Sequence, residues 1–445
     1  MIQLRRILPL LLVAALLTMS FALVSAQDEC NFEEDPIRFG GLAPMSAPGS
    51  VVGGIGMSWA FNAAAQDINA ACGIEVDGKN YRLEVITADS EGLPERGQAV
   101  AERLIFENEV VGMVGVYHSA VGLATMGIMQ DNQIPTVFSE PWNDNVSANG
   151  IREYQGVPPR TESNADGIDY IFRIAPASTM TSIASIEWLL NLGVDDVVII
   201  AENTDYGVPA AASDAVLLEE GGATVETIYI ELGTEDFVPI LSRIQARAEA
   251  PDAIKLQITG ETSYNVTQQM AELGIAPTED TICITNQIAF QSEQFWRNVP
   301  DGNYCAFFRV GTVPALFNDM AHDVNDRFQA VFRDVVPSYA LEAYDSVWIL
   351  ADAIDRADTL EPTAIVTALE ATDLELTQGT YYFPYGSGNP IPDGTPAYMW
   401  HQWPDPAVTM MQYFEEGQSG LDAAVVWPPV YQTHGTSYIL PGTAP

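Results

Sequence analysis

The sequence predicts an α/β fold built from two doubly wound lobes, each with a mostly parallel sheet and helices on both faces. Two observations predict this fold. A β-α-β pattern runs through residues 110–141 and another runs through residues 185–230, so the pattern occupies two successive halves of the chain. Strands that alternate with helices are typical of a parallel sheet covered by helices. A chain of 445 residues is also too long for one small core and suits two domains.

In the first half of the chain, the alternation of strands and helices begins at residue 37. The pattern predicts strands over 37–42, 81–89, 110–115 and 134–139, and helices over 57–71, 94–108 and 119–131. Trp59, Phe61 and Ile68 recur at the spacing of one helical face. Residues 43–56 are rich in Gly, Pro and Ser and are predicted to form a loop. The polar stretch 143–169 is predicted to be an inserted surface loop that partly covers a binding cleft.

The second half repeats the alternation with longer elements. The pattern predicts helices over 180–192, 209–220, 237–248 and 263–273, and strands over 196–201, 224–231, 253–258 and 281–285. Two more helices are expected near 315–335 and 342–357. The C-terminal stretch 379–445 is predicted to hold aromatic-rich strands separated by Pro and Gly turns.

The first 26 residues have the three parts of a secretory signal peptide. Arg5 and Arg6 are followed by an almost entirely apolar run over 7–21, and Val24-Ser25-Ala26 provides a small-residue cleavage site. No second run of about 18 apolar residues follows. We therefore expect cleavage before Gln27 and an exported, soluble protein in the periplasm or outside the cell. A retained N-terminal anchor is the alternative.

Four cysteines are an even number in a protein expected to reach an oxidising compartment. Three pairings are possible. We favour Cys30–Cys72 and Cys283–Cys305, because the second bond closes a short loop and contributes about 3 kcal/mol in the chain-entropy model. No C-x-x-C pair is present, which argues against thiol-redox chemistry and a cysteine metal site.

Charge and motifs exclude several classes of function. With 60 acidic and 18 basic residues, the formal net charge is −42, which disfavours nucleic acid and anionic lipid as partners. The four histidines have no compact metal-binding spacing. Nucleophile elbows, Walker loops and dinucleotide fingerprints do not occur. We expect no enzymatic activity, no cofactor and no metal, although an exported hydrolase stays as a remote alternative.

Polar and aromatic residues follow two strands of the first lobe where each strand ends. Tyr117 and Ser119 come after strand 110–115, and Pro141, Trp142 and Asn143 come after strand 134–139. Ligands of open α/β sheets bind at the carboxyl ends of strands, where helix N-termini present backbone N–H groups. Ser119 is predicted to be an N-cap hydroxyl, and a purely structural cap is the alternative. Together these residues could hold a carboxylate.

Three strand ends of the second lobe supply candidates for the opposite wall. Tyr206 follows strand 196–201, Glu261 follows strand 253–258 and Gln287 follows strand 281–285. A tyrosine in such a turn can pack on a small polar ligand and hydrogen-bond to it. Each strand end could instead be a solvated loop, and Tyr206 could simply cover a helix end. Their convergence at one edge of a sheet favours a binding site.

Several segments, in this order, resemble the leucine/isoleucine/valine-binding proteins, the periplasmic receptors of branched-chain amino acid ABC importers. They are IRFGGLAPMSAPGS (37–50), IPTVFSEP (134–141), FRIAP (172–176), DYG (205–207) and EAYDSVWILADAI (342–354). The resemblance implies two lobes joined by three crossings that close around a ligand. The first lobe would comprise 33–174 and 287–398, and the second 175–286 and 399–440. It also implies a membrane permease as partner, and we expect a monomer.

The resemblance assigns roles to individual residues. Ser119, the backbone near Pro141, and Asn143 correspond to the α-carboxylate pocket, and Tyr206 corresponds to the tyrosine that covers the ligand. Gln287 falls where amino-acid receptors carry the acid that binds the ammonium group, and a neutral amide cannot replace that charge.

Because of this departure, Glu261 or Glu140 would have to take the role of the acid. The ligand could be an amino acid, an amide, a urea-like solute or a carboxylate. A protein that senses a ligand and signals to a membrane receptor is the alternative function.

Overall fold

The computed structural model describes residues 30–147, 152, 167, 169–285, 291–292, 295–433 and 438–442. The segment 1–26, predicted to be a signal peptide, lies outside the described residues. In the first half, the elements are β1 (Ile37–Ala43), α1 (Val51–Ala70), β2 (Ile74–Val76), β3 (Lys79–Tyr81), β4 (Leu83–Asp89), α2 (Pro94–Phe106), β5 (Gly112–Gly115), α3 (Ser119–Asp131), β6 (Thr136–Phe138) and β7 (Ile171–Arg173).

The second half continues with a longer series of elements. They are α4 (Ser178–Asn191), β8 (Asp196–Glu202), α5 (Gly207–Glu220), β9 (Thr224–Ile230), α6 (Val238–Gln245), β10 (Ala253–Gln257), α7 (Thr262–Glu272), β11 (Ile282–Thr285), α8 (Phe295–Asn298), β12 (Ala306–Val310), α9 (Asp319–Phe332), α10 (Ser338–Ala357), α11 (Pro362–Glu370), β13 (Asp373–Leu376), β14 (Gly379–Tyr382), β15 (Val408–Gln412) and β16 (Ala424–Trp427).

Two sheets form the centres of two lobes. The first has the order β4-β1-β5-β6-β7, and all of its strands run parallel. The second has the order β16-β15-β12-β11-β10-β8-β9. Its strands from β12 to β9 run parallel to one another, and β15 runs antiparallel to both β12 and β16. The predicted α/β fold of two mostly parallel sheets is confirmed. Within the described residues, no helix is both long and apolar enough to cross a membrane.

The chain passes between the lobes three times in the described part. It leaves the first sheet after Arg173, leaves the second sheet after Val310, and returns to the second sheet at Val408. The predicted boundary at residue 287 differs from this, because β12 lies in the second sheet between β11 and β15. The sequence did not reveal β12 because it carries a charge, Arg309, yet all five of its residues are buried.

The first helix also differs from the prediction, since it begins at Val51 and not at residue 57. Its first turns contain three glycines, which the sequence suggested were part of a loop. Two of these glycines make room for aromatic rings. A Cβ at Gly53 would lie 2.7 Å from the ring of Tyr117, and one at Gly56 would lie 2.8 Å from the ring of Tyr339. The glycines therefore let two tyrosines pack directly against the helix backbone.

Both predicted disulfides are present. Cys30 is bonded to Cys72 and Cys283 to Cys305. Cys283 lies in β11, and Cys305 immediately precedes β12. The second bond thus links two adjacent parallel strands of the second sheet. These strands, β11 and β12, are paired over only a short stretch.

The first and third crossings pair with each other. The backbone N–H of Arg173 donates to the carbonyl of His401 at 2.9 Å, and Trp403 N–H donates to the carbonyl of Arg173 at 2.9 Å. The imidazole of His401 stacks on Phe172 with ring centroids 3.9 Å apart. Its Nε2 lies 2.9 Å from a carboxylate oxygen of Glu370 in α11. The third crossing is therefore held by backbone, ring and charge contacts.

The His401–Glu370 pair should stabilise the protein at neutral and mildly acidic pH, and not at strongly acidic pH. Burial raises the pKa of Glu370, but the hydrogen bond and charge of His401, with donors from Ser387, outweigh it and lower the pKa to about 2. A carboxyl whose pKa is lowered on folding stabilises the fold above its unfolded pKa, and this is lost as the pH falls through the folded value. The Glu370→Gln variant should be less stable than wild type by up to about 3 kcal/mol at pH 5–7.

This difference should shrink towards zero as the pH falls from about 4.5 to about 2. Urea unfolding of both proteins across this range measures it. A difference that stays constant with pH would contradict the prediction, because it would show that Glu370 acts without its charge.

Candidate functional site

A cavity of about 600 Å³ lies between the lobes at the carboxyl ends of their strands. The first lobe contributes residues that follow β5 and β6, and the second contributes residues that follow β8 and β10. The polar and aromatic part of the lining consists of His118, Ser119, Asn143, Glu202, Asn203, Thr204, Asp205, Tyr206 and Thr259. Three of the predicted site residues, Ser119, Asn143 and Tyr206, are therefore brought together here.

The prediction that Ser119 is an N-cap is wrong by one residue. Helix α3 begins at Ser119, and His118 holds the extended N-cap conformation, with φ −81° and ψ 131°. Gly115 and Val116 both have positive φ, and this turn moves the cap position back to His118. The Oγ of Ser119 instead accepts a hydrogen bond from the backbone N–H of Asn143 at 3.0 Å. Ser119 thus joins the two strand-end loops of the first lobe.

His118 is a lining residue that the sequence analysis did not select. Its Nε2 accepts a hydrogen bond from the backbone N–H of Ser50, the N-cap of α1, at 3.1 Å. Burial lowers the pKa of His118 to about 4, so the ring is neutral at physiological pH. Its position directly after a strand end is the signal that could have identified it.

Asn143 links the two lobes. Its Oδ1 accepts a hydrogen bond from the N–H of Asn145 at 2.8 Å, and its Nδ2 donates to the carbonyl of Asp205 in the second lobe at 2.5 Å. A second link is made by Glu261, whose Oε1 accepts a hydrogen bond from the N–H of Val52 in α1 at 3.0 Å. Both predicted site residues therefore hold one lobe against the other. The rest of the predicted loop 143–169 lies mostly outside the described residues.

Tyr206 is buried and connected to a polar network inside the second lobe. Its hydroxyl donates to Oε1 of Gln257 at 2.7 Å, and the Gln257 amide donates to Asp214. Asp214 also accepts from Nζ of Lys255 at 2.7 Å, and Lys255 donates to Ser185 at 2.6 Å. Both members of the Lys255–Asp214 ion pair are fully buried. The network fixes the tyrosine ring at the cavity wall.

Aromatic rings from both lobes meet beside the cavity. The indole of Trp142 stacks on Phe308 at 5.8 Å and meets the ring of Tyr206 edge-on at 6.0 Å. The neighbouring residue, Pro141, packs over Gly122, where a Cβ would lie 3.2 Å from it. Trp142 is held in place through its carbonyl, which accepts two hydrogen bonds from Ser178. Both predicted residues are buried supports of the site.

Tyr117 is also buried, and its ring meets that of Tyr339 edge-on at 6.0 Å. Tyr339 lies in the first turn of α10 and was missed by the sequence analysis, although it stands just before the segment that carries the family resemblance. Gln287, the remaining candidate, lies outside the described residues.

Two acidic residues, Glu202 and Asp205, line the cavity, and two more lie buried in the first lobe. Both oxygens of Glu202 accept hydrogen bonds from Thr259, one from its N–H at 2.9 Å and one from its hydroxyl at 2.8 Å. Burial raises the pKa of Glu202 to about 7. Glu140, which follows β6, lies against Glu342 of α10, and both are buried. None of the described residues that line the cavity is Arg or Lys.

Comparisons with known proteins found a family model and several relatives that match this chain. The model of the family described as "Periplasmic binding protein" matches residues 36–394. An amino acid binding protein of Pseudomonas aeruginosa is 22% identical over 323 residues, 71% of this chain and 78% of that protein. Leu/Ile/Val-binding protein homolog 6 of Brucella abortus is 25% identical over 213 residues, 47% of this chain and 48% of that protein.

Solved structures share the fold at low sequence identity. A leucine binding protein from Thermotoga maritima superposes with a TM-score of 0.68 at 18% identity, covering 88% of this chain and 99% of that one. A solute binding protein of R. palustris in complex with benzoate gives 0.68 at 15% identity, covering 88% and 98%. A branched-chain amino acid binding protein of Streptococcus pneumoniae in complex with isoleucine gives 0.67 at 19%, covering 88% and 100%.

Breaking the buried ion pair behind Tyr206 should destabilise the second lobe. In the Lys255→Met variant, the carboxylate of Asp214 would stay buried without its cation, and this costs about 3–5 kcal/mol. The double variant Lys255→Met/Asp214→Leu removes both charges and should recover part of that loss. Urea unfolding of the three proteins measures both effects. A loss below about 1 kcal/mol in the single variant would contradict the role given to the pair.

Proposed function

This chain belongs to the periplasmic binding protein family, and we propose on that basis that it holds a small polar solute between its two lobes. The observation that carries the proposal is the cavity of about 600 Å³ at the carboxyl ends of strands from both sheets. Ligands of open α/β sheets bind at this edge. The cavity combines aromatic surface with a few polar groups, which is typical of small-molecule sites.

The lining favours a solute that is neutral, zwitterionic or positively charged. Glu202 and Asp205 bring carboxyl groups to the cavity, His118 is neutral, and the part of the lining that the structure describes contains no Arg or Lys. A simple carboxylate would meet like charge there without a compensating cation. A branched-chain amino acid, another amino acid or an amide fits this lining better than a compound such as the benzoate bound by one structural neighbour.

Closure of the lobes around the solute is part of the proposal. The hydrogen bonds from Asn143 to Asp205 and from Val52 to Glu261 are both made between lobes. Crossings between two rigid lobes are where hinge motion is absorbed. Solute docked on the first lobe would then be covered by Tyr206 of the second.

The proposed partner is the membrane permease of an ABC importer. Structural neighbours are solute binding proteins of ABC transporters, and two disulfides fit a protein that works in an oxidising compartment. Export by a cleaved signal peptide, and delivery of the solute to the permease by the closed form, complete the proposal.

Tyr206→Ala should weaken solute binding at least about tenfold, or 1.4 kcal/mol, because it removes the ring that lines the cavity from the second lobe. A thermal-shift screen against amino acids, amides and small carboxylates identifies a solute, and calorimetry then measures its affinity. A solute at a hundredfold its dissociation constant adds about 2.7 kcal/mol of stability, which a thermal shift detects.

The matched control is Tyr229→Ala, which removes a tyrosine that is 47% exposed on β9 of the same lobe. Its affinity should equal that of wild type. Equal affinities of the Tyr206→Ala variant and the control would refute a binding site in this cleft.

A further inference from the structure

The chain departs from its local structural preferences where β5 leads into α3. Val116 has a φ of 65°, in the left-handed region that a β-branched side chain rarely adopts. His118 holds the N-cap position of α3, where Ser, Thr, Asp and Asn are preferred, and its side chain accepts no hydrogen bond from the helix. Departures of this kind are concentrated at functional sites, so they indicate that His118 has a function other than capping.

The contact between His118 and Ser50 fixes the position of the ring proton. The backbone N–H of Ser50 can only donate, so Nε2 of His118, 3.1 Å away, is the acceptor and carries no hydrogen. An imidazole without a hydrogen on Nε2 is neutral and carries its one N–H group on Nδ1. His118 therefore offers a hydrogen-bond donor, and not an acceptor, to any further group.

This Nδ1–H group lies on the side of the ring away from the contacts that hold the ring. A Cβ at Gly92 would lie 2.9 Å from both Cδ2 and Nε2 of His118, and Ser50 bonds to the same Nε2. Nδ1 is the ring atom opposite the bond between Cδ2 and Nε2. Within the described residues, Ser50 is the hydrogen-bond partner of the ring, and Nδ1 has none.

His118 lies where two cavities of the cleft adjoin. It lines the cavity of about 600 Å³ and a second cavity of about 450 Å³. Leu232 and Thr259, which belong to the second lobe, also line both cavities. His118 itself is half-buried. A solute held between the lobes at this point would therefore contact the ring from either cavity.

Other side-chain donors of the lining already have acceptors in the protein. The hydroxyls of Thr259 and Tyr206 and the amide of Asn143 each donate to a group of the protein. The Nδ1–H group of His118 is a donor that remains for a solute. An N–H group that is left without an acceptor when water is excluded costs free energy, so it favours a solute with an oxygen at this place.

We propose that His118 determines the specificity of the site by donating from Nδ1 to an oxygen atom of the solute. The inference rests on the proposed function and adds to it a chemical group that the solute must carry. The acceptor is the carbonyl oxygen of an amide, or a carboxylate oxygen of a zwitterion whose own ammonium group balances its charge beside Glu202 and Asp205. An amine without such an oxygen would leave the Nδ1–H group unpaired in the closed cleft.

The position of the ring proton can be tested without a solute. In protein labelled with ¹⁵N in its four histidine rings, a long-range ¹H–¹⁵N spectrum at pH 7 distinguishes a protonated Nδ1 from a protonated Nε2. The signals of His118 are those that are missing from the His118→Gln variant. They should show a hydrogen on Nδ1 alone, and a hydrogen on Nε2 would overturn the inference.

Three probes with the same branched side chain test whether the solute needs an oxygen: L-leucine, L-leucinamide and 3-methylbutylamine. We expect the wild-type protein to bind leucine or its amide at least about tenfold more tightly than the amine, as measured by calorimetry. The Nδ1 signal of His118 should shift when the oxygen-bearing probe binds. Equal or tighter binding of the amine, or failure of all three probes to bind, would overturn the proposal.

Two substitutions separate the two contacts of the ring. The side-chain amide of glutamine reaches the place of Nε2, so His118→Gln keeps an acceptor for Ser50 but loses the donor at Nδ1. The amide of asparagine reaches the place of Nδ1, so His118→Asn keeps a donor there and loses the contact with Ser50.

The two variants should therefore differ. His118→Gln should weaken binding of the oxygen-bearing probe at least about tenfold and leave binding of the amine unchanged, whereas His118→Asn should stay within about threefold of wild type. An equal loss in both variants, or an equal loss for the amine, would overturn the proposal, because it would show that the ring only supports the structure.

His322→Gln is the matched control, since it removes an exposed histidine of α9. It should match wild type with all three probes. Melting temperatures without solute verify that each variant is folded, and the spectrum of the wild-type protein tests the proton position even if a variant does not fold.

The outcomes distinguish this inference from the proposed function. Binding of leucine or its amide that depends on Tyr206 but is unaffected by His118→Gln would refute the role of His118 while the cleft function stands. Binding that does not depend on Tyr206 would instead refute the cleft function itself.

Discussion

The rest of the structure depends on the pairing of two crossing segments around the buried guanidinium of Arg173. The backbone of Arg173 is bonded on both sides to the third crossing, at His401 and Trp403. Its side chain donates to Gln402 of that crossing and to the carbonyl of Asn143. Burial lowers the pKa of Arg173 to about 10, so the charge persists at neutral pH. One side chain therefore connects the first and third crossings with a loop that lines the cavity.

The cleft is built from neutral and acidic groups on a strongly acidic protein. The chain carries a formal charge of −42, and the cavity-lining residues within the described ranges include no Arg or Lys. The buried cations Arg173, Lys255 and Arg309 are bonded inside the lobes or at their junction. An uncompensated carboxylate would therefore be repelled here.

Part of the site could be predicted because strand ends in an α/β fold converge for a topological reason. Ser119, Asn143 and Tyr206 were selected as residues that follow strands, and all three line the cavity. Their individual roles could not be predicted. Ser119 bonds to the loop of Asn143, Asn143 reaches the other lobe, and the hydroxyl of Tyr206 is bonded to Gln257. These are contacts between residues far apart in the chain, which local pattern does not encode.

By itself, the sequence determined the alternation of strands and helices and the two lobes, because periodicity and turn residues act over short distances. It favoured the correct one of three cysteine pairings, which the structure then confirmed. Only the tertiary structure decided that β12 belongs to the second sheet, that the glycines of α1 lie in a helix, and that Glu140 meets Glu342. Arg309 is buried in β12 because three distant acceptors satisfy it. A buried charge finds its partners, and a glycine its neighbouring ring, only when distant segments of the chain come together. No local sequence pattern could therefore reveal these features.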